Sequence, residues 1–511
     1  MREALSRFRF RQVRSRAQQA GRRRTERAFR DSGALRVIAG LAAWLLGLWL
    51  VAPPGVIDWR MLLACGVTLV IIGFGGQMLL AVIQPREEPA RRAWMLMLCM
   101  MLLAIADVRL AEWILTRVLH PGAGGGTPLV TPHAVVPLLV AMLYGGQTAL
   151  VIGLITGVVL ALAADFSLGV FLLSLCATAV AALEVPRLRY RAELARALGR
   201  IGLWQTPIVL VMAIVAPAAP DLRQVGIQLV ALFVWLALSG LLVLLVLPLA
   251  ERATGQTGSI SLNAFADLGR PLLQRLSLEA PGTYHHCMVV ATLAQAAADR
   301  IGANGLLARV GAYYHDIGKL GRPAFYMENQ MRGGNPHDDL PPNISRMIIV
   351  NHVKEGLVLA RLHHLPAVIT RFIAIHHGTS VIRWFHRKAL SQANGGAEGG
   401  KPDGVEESHY RYPGPLPVGP EETIVALADS VEAASRALAK VTPAHIENLV
   451  TAIFNERWSD GQLDRSRLSQ AELAAVRQSF IYTLTHLLHA RLAYPSHEPP
   501  TDTKPAAPLP A

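Results

Sequence analysis

The residues of this chain that could carry chemistry are histidines and aspartates in its second half. Seven of them lie singly or in pairs in stretches that read as helix: His286, His315, Asp316, His352, His376, His377 and Asp429. Imidazoles and carboxylates together suit Mn, Fe, Co, Ni or Zn, and so many histidines make a poor site for Ca or Mg alone. Seven ligands are enough for two ions that share one aspartate. Two such ions lower the pKa of a water between them and offset phosphate charge, so the pattern favours phosphate-ester hydrolysis.

The remaining histidines are expected to be ordinary core or surface residues. His363 and His364 precede a proline turn, and several others stand alone in the sequence. His285 is the hardest to exclude, because it is adjacent to His286. Neighbouring helical residues point about 100° apart, so only one of these two can face a site.

The region around the seven residues reads as amphipathic helices with hardly any strand pattern. A helix is predicted over residues 283–302, with Thr283 as a candidate cap after the turn at Pro281. Further helices are predicted to carry His315 near a C-terminal end, His352 within residues 344–362, and His376 at the end of a helix from Pro366. Asp429 lies in the next helix, and two more are predicted up to about residue 491. Residues 392–408 are rich in glycine and predict a surface loop.

Composition indicates that part of the chain lies in a membrane. Of 511 residues, 52% are hydrophobic and 17% charged, and the mean hydropathy is +0.35, too apolar for an ordinary soluble protein. A helical span needs about 20 apolar residues. Spans are predicted at 35–52, 61–83 and 94–114, as three short crossings within 132–183, and at 201–218 and 225–250. The total is eight, with six as the alternative, and arginine-rich loops place both termini in the cytoplasm.

The ends of the chain and its cysteines add three expectations. The first thirty residues hold eleven arginines and two glutamates, which favours a basic flank against anionic lipid over a nucleic-acid arm. The four cysteines have no paired spacing, which argues against a disulfide framework or a thiolate metal site. The predicted division is a basic segment at 1–34, a transmembrane domain at 35–250, a linker at 251–262, a helical domain at 263–491, and a disordered proline-rich tail at 492–511.

Several segments together closely resemble a known family, the membrane-anchored seven-transmembrane HD phosphodiesterases. These PgpH-like enzymes hydrolyse cyclic di-AMP to the linear dinucleotide pApA. The resemblance spans about residues 263–491 and lies in PGTYHHCMVVA, LLARVGAYYHDIGKLGRPAFYMENQ, NPHDDL, IIVNHVKEGL, IAIHHGT, YRYPGPLP and IVALADSVEAA. It implies an all-α chain: a polytopic transmembrane helix bundle followed by a cytoplasmic, all-helical HD metal-dependent phosphohydrolase domain.

The resemblance also implies roles for individual residues around two divalent transition-metal ions, Mn or Fe. One ion would be held by His286, His315, Asp316 and Asp429, and the other by His352, His376 and His377, with Asp316 bridging. Asp316 and Lys319 would be catalytic, with Lys319 as the cation beside the attacked phosphate. The expected substrate contacts are Asn335, His337, Lys354, Thr379, Arg411 and Tyr412, with Arg411 acting by charge and Tyr412 by stacking on a base. Ordinary helix-end and loop structure remains the alternative for each of these six.

The function expected from this resemblance is hydrolysis of a cyclic dinucleotide messenger, cyclic di-AMP first, at a bacterial inner membrane. The protein would cross the membrane several times, in contact with lipid, and its HD domain would be cytoplasmic. No nucleic-acid polymer is expected as a partner, and homo-oligomerisation is left open. Two alternatives stay open: an HD phosphohydrolase acting on another nucleotide or oligonucleotide, and a nucleotide-binding membrane receptor without turnover. Family members typically carry a large extracellular domain after their first membrane helix, where this chain has about eight residues between its first two predicted spans. The signal sensed is therefore open.

Overall fold

The structure, a computed structural model, describes residues 66–67, 133–164, 167–185, 188–216, 221–330, 334–394, 405–438 and 441–489. The predicted spans at 35–52 and 94–114, nearly all of that at 61–83, the basic N-terminal segment and the proline-rich tail lie outside these residues. Within the described residues every regular element is a helix, and extended pairing is limited to one bridge between Val381 and Arg411. The all-α prediction is confirmed. The chain divides into a first unit, Met1–Ser259, and a second unit, Ile260–Ala511.

The described part of the first unit consists of apolar helices. They are α1 (Val135–Tyr144), α2 (Gly146–Ala163), α3 (Leu168–Glu184), α4 (Arg191–Val215) and α5 (Leu222–Thr254). Three of these, α2, α4 and α5, are long and apolar enough to cross a membrane. The stretch expected to hold three short crossings holds α1, α2 and α3, of which α1 and α3 are shorter than 18 residues.

Helix α4 begins at Arg191, well before the span predicted from residue 201. Glu193 accepts hydrogen bonds from the backbone N–H groups of Arg189 and Tyr190, at 2.6 and 3.2 Å. These bonds satisfy donors that a helix start otherwise leaves open, so the helix extends into the polar segment.

The second unit is built around α8. Its helices are α6 (Ser259–Phe265), α7 (Pro271–Glu279), α8 (Pro281–Arg300), α9 (Gly305–Tyr314), α10 (Pro342–Leu362), α11 (Ala367–Ile375), α12 (Arg383–Asn394), α13 (Pro420–Ser435), α14 (Pro443–Ser459) and α15 (Gln470–His489). Short 3-10 turns lie at Ile317–Gly321, Pro323–Phe325, Met327–Asn329 and Glu407–Tyr410. Helix α8 packs against α7, α9, α13 and α15, and its Val290, Leu293 and Ala294 are fully buried. It is the helix around which the core of the unit forms.

Two details differ from the sequence predictions. Helix α8 begins at Pro281, a residue suited to the first helical position because it has no N–H to satisfy. Thr283 therefore does not cap the helix; it is buried in the first turn, and its hydroxyl donates to Glu328 at 3.0 Å. Helix α12 was not predicted and extends into the expected loop at 392–408, of which residues 395–404 lie outside the described part.

Candidate metal centre

The fold of the second unit brings all seven predicted ligand residues together. They come from α8, the segment after α9, the middle of α10, the end of α11 and the middle of α13. Their ligand atoms form two groups, and within each group all atoms lie within 4.8 Å of one another. The first group is His286, His315, Asp316 and Asp429; the second group is Asp316, His352, His376 and His377. Asp316 belongs to both.

The carboxylate of Asp316 lies between the two groups, with one oxygen facing each. Its Oδ2 is 3.5 Å from His286 Nε2 and 3.3 Å from His315 Nε2. Its Oδ1 is 3.4 Å from His352 Nε2 and 3.6 Å from His376 Nε2. This is the arrangement that a carboxylate shared by two cations requires.

Two of these buried atoms, Asp316 Oδ1 and His315 Nε2, have no hydrogen-bond partner. Asp316 Oδ2 has the Lys319 ammonium at 2.8 Å, and His286 Nε2 lies 3.0 Å from Asp429 Oδ1. A buried carboxylate is costly unless cations or hydrogen bonds compensate it. Lone pairs of oxygen and nitrogen converging in a buried space match the ligand preferences of divalent transition metals. The residues present therefore fit two divalent metal ions.

A glycine explains how Asp316 comes to lie beside α10. In the turn Ile317–Gly321, a Cβ added at Gly318 would overlap the carbonyl oxygen of His352 and approach the backbone nitrogen of Gly356. Only glycine allows this turn to pack directly on the helix backbone at the level of His352. The glycine of the HDIG sequence thus brings the two groups of ligands into contact.

Three of the histidines are oriented by backbone carbonyls. The Nδ1 atoms of His315, His352 and His376 lie 2.7, 2.6 and 3.0 Å from the carbonyl oxygens of Ala312, Ile349 and Phe372, each within the preceding turn. An Nδ1–H that donates to a carbonyl leaves the lone pair on Nε2, the atom that faces Asp316 in each case.

The charges of the site suit cation binding. Burial by itself would raise the pKa of Asp316, but the Lys319 ammonium and His315 hold that pKa well below its usual range. Burial lowers the pKa of His352 to about 4, so this imidazole is neutral. Burial would also lower the pKa of His286, but Asp429 and Glu432 raise it to about 9.

Lys319 is the buried cation of the site. Its Nζ lies 2.8 Å from Asp316 Oδ2 and 2.7 Å from Glu328 Oε1. Burial opposes its charge, but these two carboxylates hold the pKa of Lys319 well above its ordinary value. Glu328 also accepts the hydroxyl of Thr283. Glu328 can approach α8 closely because Gly282 has no side chain. A Cβ at Gly282 would overlap the Glu328 carbonyl oxygen.

Of the six predicted substrate contacts, Tyr412 lies against a ligand residue. Its ring centroid is 4.2 Å from that of His377, and the two planes are tilted by 31°. The Tyr412 N–H donates to the carbonyl of Ser380 at 3.0 Å, which fixes the residue beside the end of α11. Tyr412 is partly exposed, so its ring is available to a bound molecule.

Arg411 and Thr379 are occupied by protein partners. The Arg411 guanidinium donates to both carboxylate oxygens of Asp460, at 2.7 and 3.2 Å, and to Glu407. It also donates to the carbonyl of Thr379. The N–H of Thr379 donates to Gln462 at 2.9 Å, and the Gln462 amide donates back to the Thr379 hydroxyl at 3.0 Å. In the structure these residues join two loops, and their contact with substrate stays a prediction.

The other three predicted contacts are Asn335, His337 and Lys354. Asn335 Oδ1 accepts the N–H of His337, and the buried His337 ring lies 2.9 Å from the Phe325 carbonyl through Nε2. Lys354 is exposed on α10. It is two residues beyond His352, and therefore about 200° around the helix from it. Its side chain therefore points away from the face of α10 that carries His352.

The sequence did not predict the carboxylates that support the site. Glu432 contacts His286 Nδ1, and Glu328 holds Lys319. For Glu432 a signal existed, because it follows Asp429 by three residues and so shares its face of α13. For Glu328 the sequence carried no such periodic relation to Lys319.

Two families match consecutive parts of the chain. "7TM receptor with intracellular HD hydrolase" matches residues 60–257, and "HD domain" matches residues 283–434. These matches confirm the resemblance seen in the sequence motifs, and they identify a membrane protein that carries an HD domain.

Curated relatives from two bacteria share the name "Cyclic-di-AMP phosphodiesterase PgpH". The chain is 40% identical over 257 residues to the Bacillus subtilis protein, covering 50% of this chain and 35% of that protein. It is 42% identical over 250 residues to the Listeria monocytogenes protein, covering 49% and 34%. The chain thus aligns with about a third of each relative. A crystal structure of the L. monocytogenes PgpH HD domain in complex with cyclic-di-AMP is 42% identical, covers 43% of this chain and 99% of that chain, and has a TM-score of 0.41.

Proposed function

This chain belongs to the family of 7TM receptors with an intracellular HD hydrolase. We propose that it is a membrane-anchored, metal-dependent phosphodiesterase that hydrolyses cyclic di-AMP to pApA. The observation that carries this proposal is the buried Asp316, whose two carboxylate oxygens each face the histidines of one group. The names of the two curated relatives support the choice of substrate.

The first group, with Asp429, would hold one ion, and the second group, with three imidazoles, would hold the other. The mixture of imidazole and carboxylate supports Mn or Fe. When bound, two such ions supply water of lowered pKa and offset the negative charge of the phosphate. The chain's contribution is to hold the two carboxylates and five imidazoles in place before substrate arrives.

Lys319 would place a positive charge beside the attacked phosphate. Its side chain is 13% exposed and its ammonium is fixed between Asp316 and Glu328, so little ordering would be needed when substrate binds. A charge in such a buried site acts more strongly than it would in water. Glu328 would hold the Lys319 ammonium beside Asp316 Oδ2.

Tyr412 would bind a base of the dinucleotide. Its partly exposed ring lies beside the ligand residue His377, and stacking of a base on an aromatic ring contributes roughly 1–3 kcal/mol. A base on Tyr412 would leave its linked phosphate near the two groups. Asn335, His337, Thr379 and Arg411 would then act through loop structure, and Lys354 would act from the exposed face of α10.

The proposed location is a bacterial inner membrane, with the HD domain in the cytoplasm. The arginine-rich first segment supports this orientation. The proposed division remains 1–34, 35–250, 251–262, 263–491 and 492–511, with about eight membrane helices in contact with lipid. A cyclic dinucleotide, and no nucleic-acid polymer, is the proposed partner; self-association is left open.

The test is turnover by the full chain in detergent, stripped of metal with a chelator and reloaded with Mn²⁺. Cyclic di-AMP, cyclic di-GMP and mononucleotides are offered, and the products are separated by chromatography. We expect pApA from cyclic di-AMP, lost on chelation and in Asp316→Asn but retained in Asp464→Asn, the same change at an exposed aspartate. Cleavage of another nucleotide alone would overturn the substrate, and metal-loaded protein without any turnover would favour a receptor.

A further inference from the structure

We infer that the two metal groups bind with unequal affinity, that the first group fills first, and that Glu432 sets this order by holding His286. The inference rests on the proposed function only in requiring metal at both groups. It concerns a residue that contacts no substrate and none of the reacting atoms. Glu432 is therefore a positioning residue.

Glu432 is held at both ends of its carboxylate. It lies on α13 one turn beyond Asp429 and is 4% exposed. Its Oε2 contacts His286 Nδ1, and its Oε1 accepts two bonds from Arg436, at 2.9 Å from Nε and 2.8 Å from the terminal nitrogen. A carboxylate fixed in this way leaves the His286 ring with one orientation. In that orientation Nε2 lies 3.0 Å from Asp429 Oδ1, among the other ligand atoms.

This support differs from that of three other imidazoles. His315, His352 and His376 each have a neutral backbone carbonyl at Nδ1, whereas His286 has a carboxylate. The fifth imidazole, His377, has its Nδ1 3.4 Å from Asp429 Oδ2. A charged acceptor makes the stronger hydrogen bond and increases the electron density on the opposite ring nitrogen. His286 should therefore be a stronger ligand than His352 and His376 of the second group.

The ligand charges point in the same direction. The first group contains two carboxylates, Asp316 and Asp429, and the second group contains Asp316 alone. Glu432 adds a third negative charge next to the first group, partly balanced by Arg436. The Lys319 ammonium beside Asp316 Oδ2 is balanced in turn by Glu328, at 2.7 Å. A divalent cation gains more attraction at the group with more negative charge, especially in a buried site. The first group should accordingly take up metal at lower concentration.

The experiment is a Mn²⁺ titration of the metal-free full chain in detergent, in which free Mn²⁺ is measured by its paramagnetic resonance signal. The wild-type chain should bind two ions in two steps. His352→Ala removes a ligand of the second group, so the tighter step alone should remain. In that background Glu432→Gln should weaken the tighter step roughly 10- to 100-fold. Glu447→Gln, the same change at an exposed position of α14, should not shift it.

The outcomes separate this inference from the proposed function. A wild-type chain that binds no Mn²⁺ overturns both. The inference alone is overturned if the wild type binds two ions but Glu432→Gln and Glu447→Gln give equal Mn²⁺ binding curves in the His352→Ala background. Loss of the tighter step in His352→Ala also overturns it. Circular dichroism checks that each variant keeps its helices. If Glu432→Gln does not fold, Glu432→Asp, which keeps the charge but shortens the side chain, should weaken the same step less; an unchanged step overturns the role of Glu432.

Discussion

The two units bury polar side chains in different ways. In the described part of the first unit, these side chains are hydroxyls, one amide and one histidine. Some hydroxyls donate to their own helix, as Thr156 does to Ile152 and Thr254 to Ala250. Gln205 joins α4 to α3 by donating to the Leu173 carbonyl at 2.7 Å. Neutral groups of this kind can be accommodated between helices at modest cost.

The second unit instead gathers carboxylates and imidazoles in one buried place. Asp316 and His315 are fully buried, and the Asp316 carboxylate lies 3.3–3.6 Å from the Nε2 atoms of four histidines. A buried charge costs far more than a buried hydroxyl unless an opposite charge accompanies it. Polar burial therefore serves packing in the first unit, whereas in the second it creates a demand for cations.

The largest expected effect comes from removing the shared carboxylate. Asp316→Ala should lower turnover by on the order of a thousandfold or more, because a bound metal contributes several kcal/mol to catalysis. His315→Ala should have a similar effect. Product formation is measured on variants whose helix content matches the wild type, with Asp464→Asn as control. A folded Asp316→Ala chain that still turns over substrate would remove the metal mechanism.

Metal should stabilise the second unit and not the first. With Mn²⁺ at a hundred times its dissociation constant, we expect about 2.7 kcal/mol of added stability at one site. Hydrogen exchange of the full chain should show slower exchange in α8, α10 and α13. Peptides from α2, α4 and α5 serve as the internal reference. Equal protection of both sets would mean that Mn²⁺ acts on the chain as a whole.

A methyl group at Gly318 should damage the contact between the turn and α10. Gly318→Ala would overlap the His352 carbonyl, and such overpacking typically costs 1–3 kcal/mol. Gly226→Ala in α5 is the matched change, because a Cβ there meets nothing within 4 Å. We expect lower thermal stability and weaker Mn²⁺ binding for Gly318→Ala only. Unaltered metal binding in Gly318→Ala would show that this packing does not position Asp316.

The smallest expected effect concerns Arg411, which the sequence predicted as a substrate contact and which the structure pairs with Asp460. If it joins loops through Asp460, then Arg411→Gln and Asp460→Asn should each raise KM modestly, with little change in kcat. The double variant should be no worse than either single one, since a partly exposed ion pair contributes about 0.2–1 kcal/mol. Steady-state kinetics on the three variants decide this. A much larger loss for Arg411→Gln alone would restore its predicted contact with substrate.

Much of the helical architecture and the ligand set could be predicted from the sequence, because both have local signals. Apolar periodicity predicted the helices that carry His352 and Asp429, and the HDIG sequence with its flanking histidine pairs singled out all seven ligand residues. The predicted helix boundaries differ where side chains from elsewhere intervene. Thr283, expected to be a cap, instead bonds Glu328, a residue 45 positions away.

By itself the sequence determined the helical character of the chain and the kinds of ligand that it offers, since residue type and spacing are local properties. Tertiary structure alone decided that Asp316 divides its two oxygens between the groups, that Arg411 is occupied by Asp460, and that Glu432 reaches His286 across 146 residues. The physical reason is that packing selects partners. Whether a charged side chain meets a substrate, an ion or another side chain depends on which helix faces are buried together.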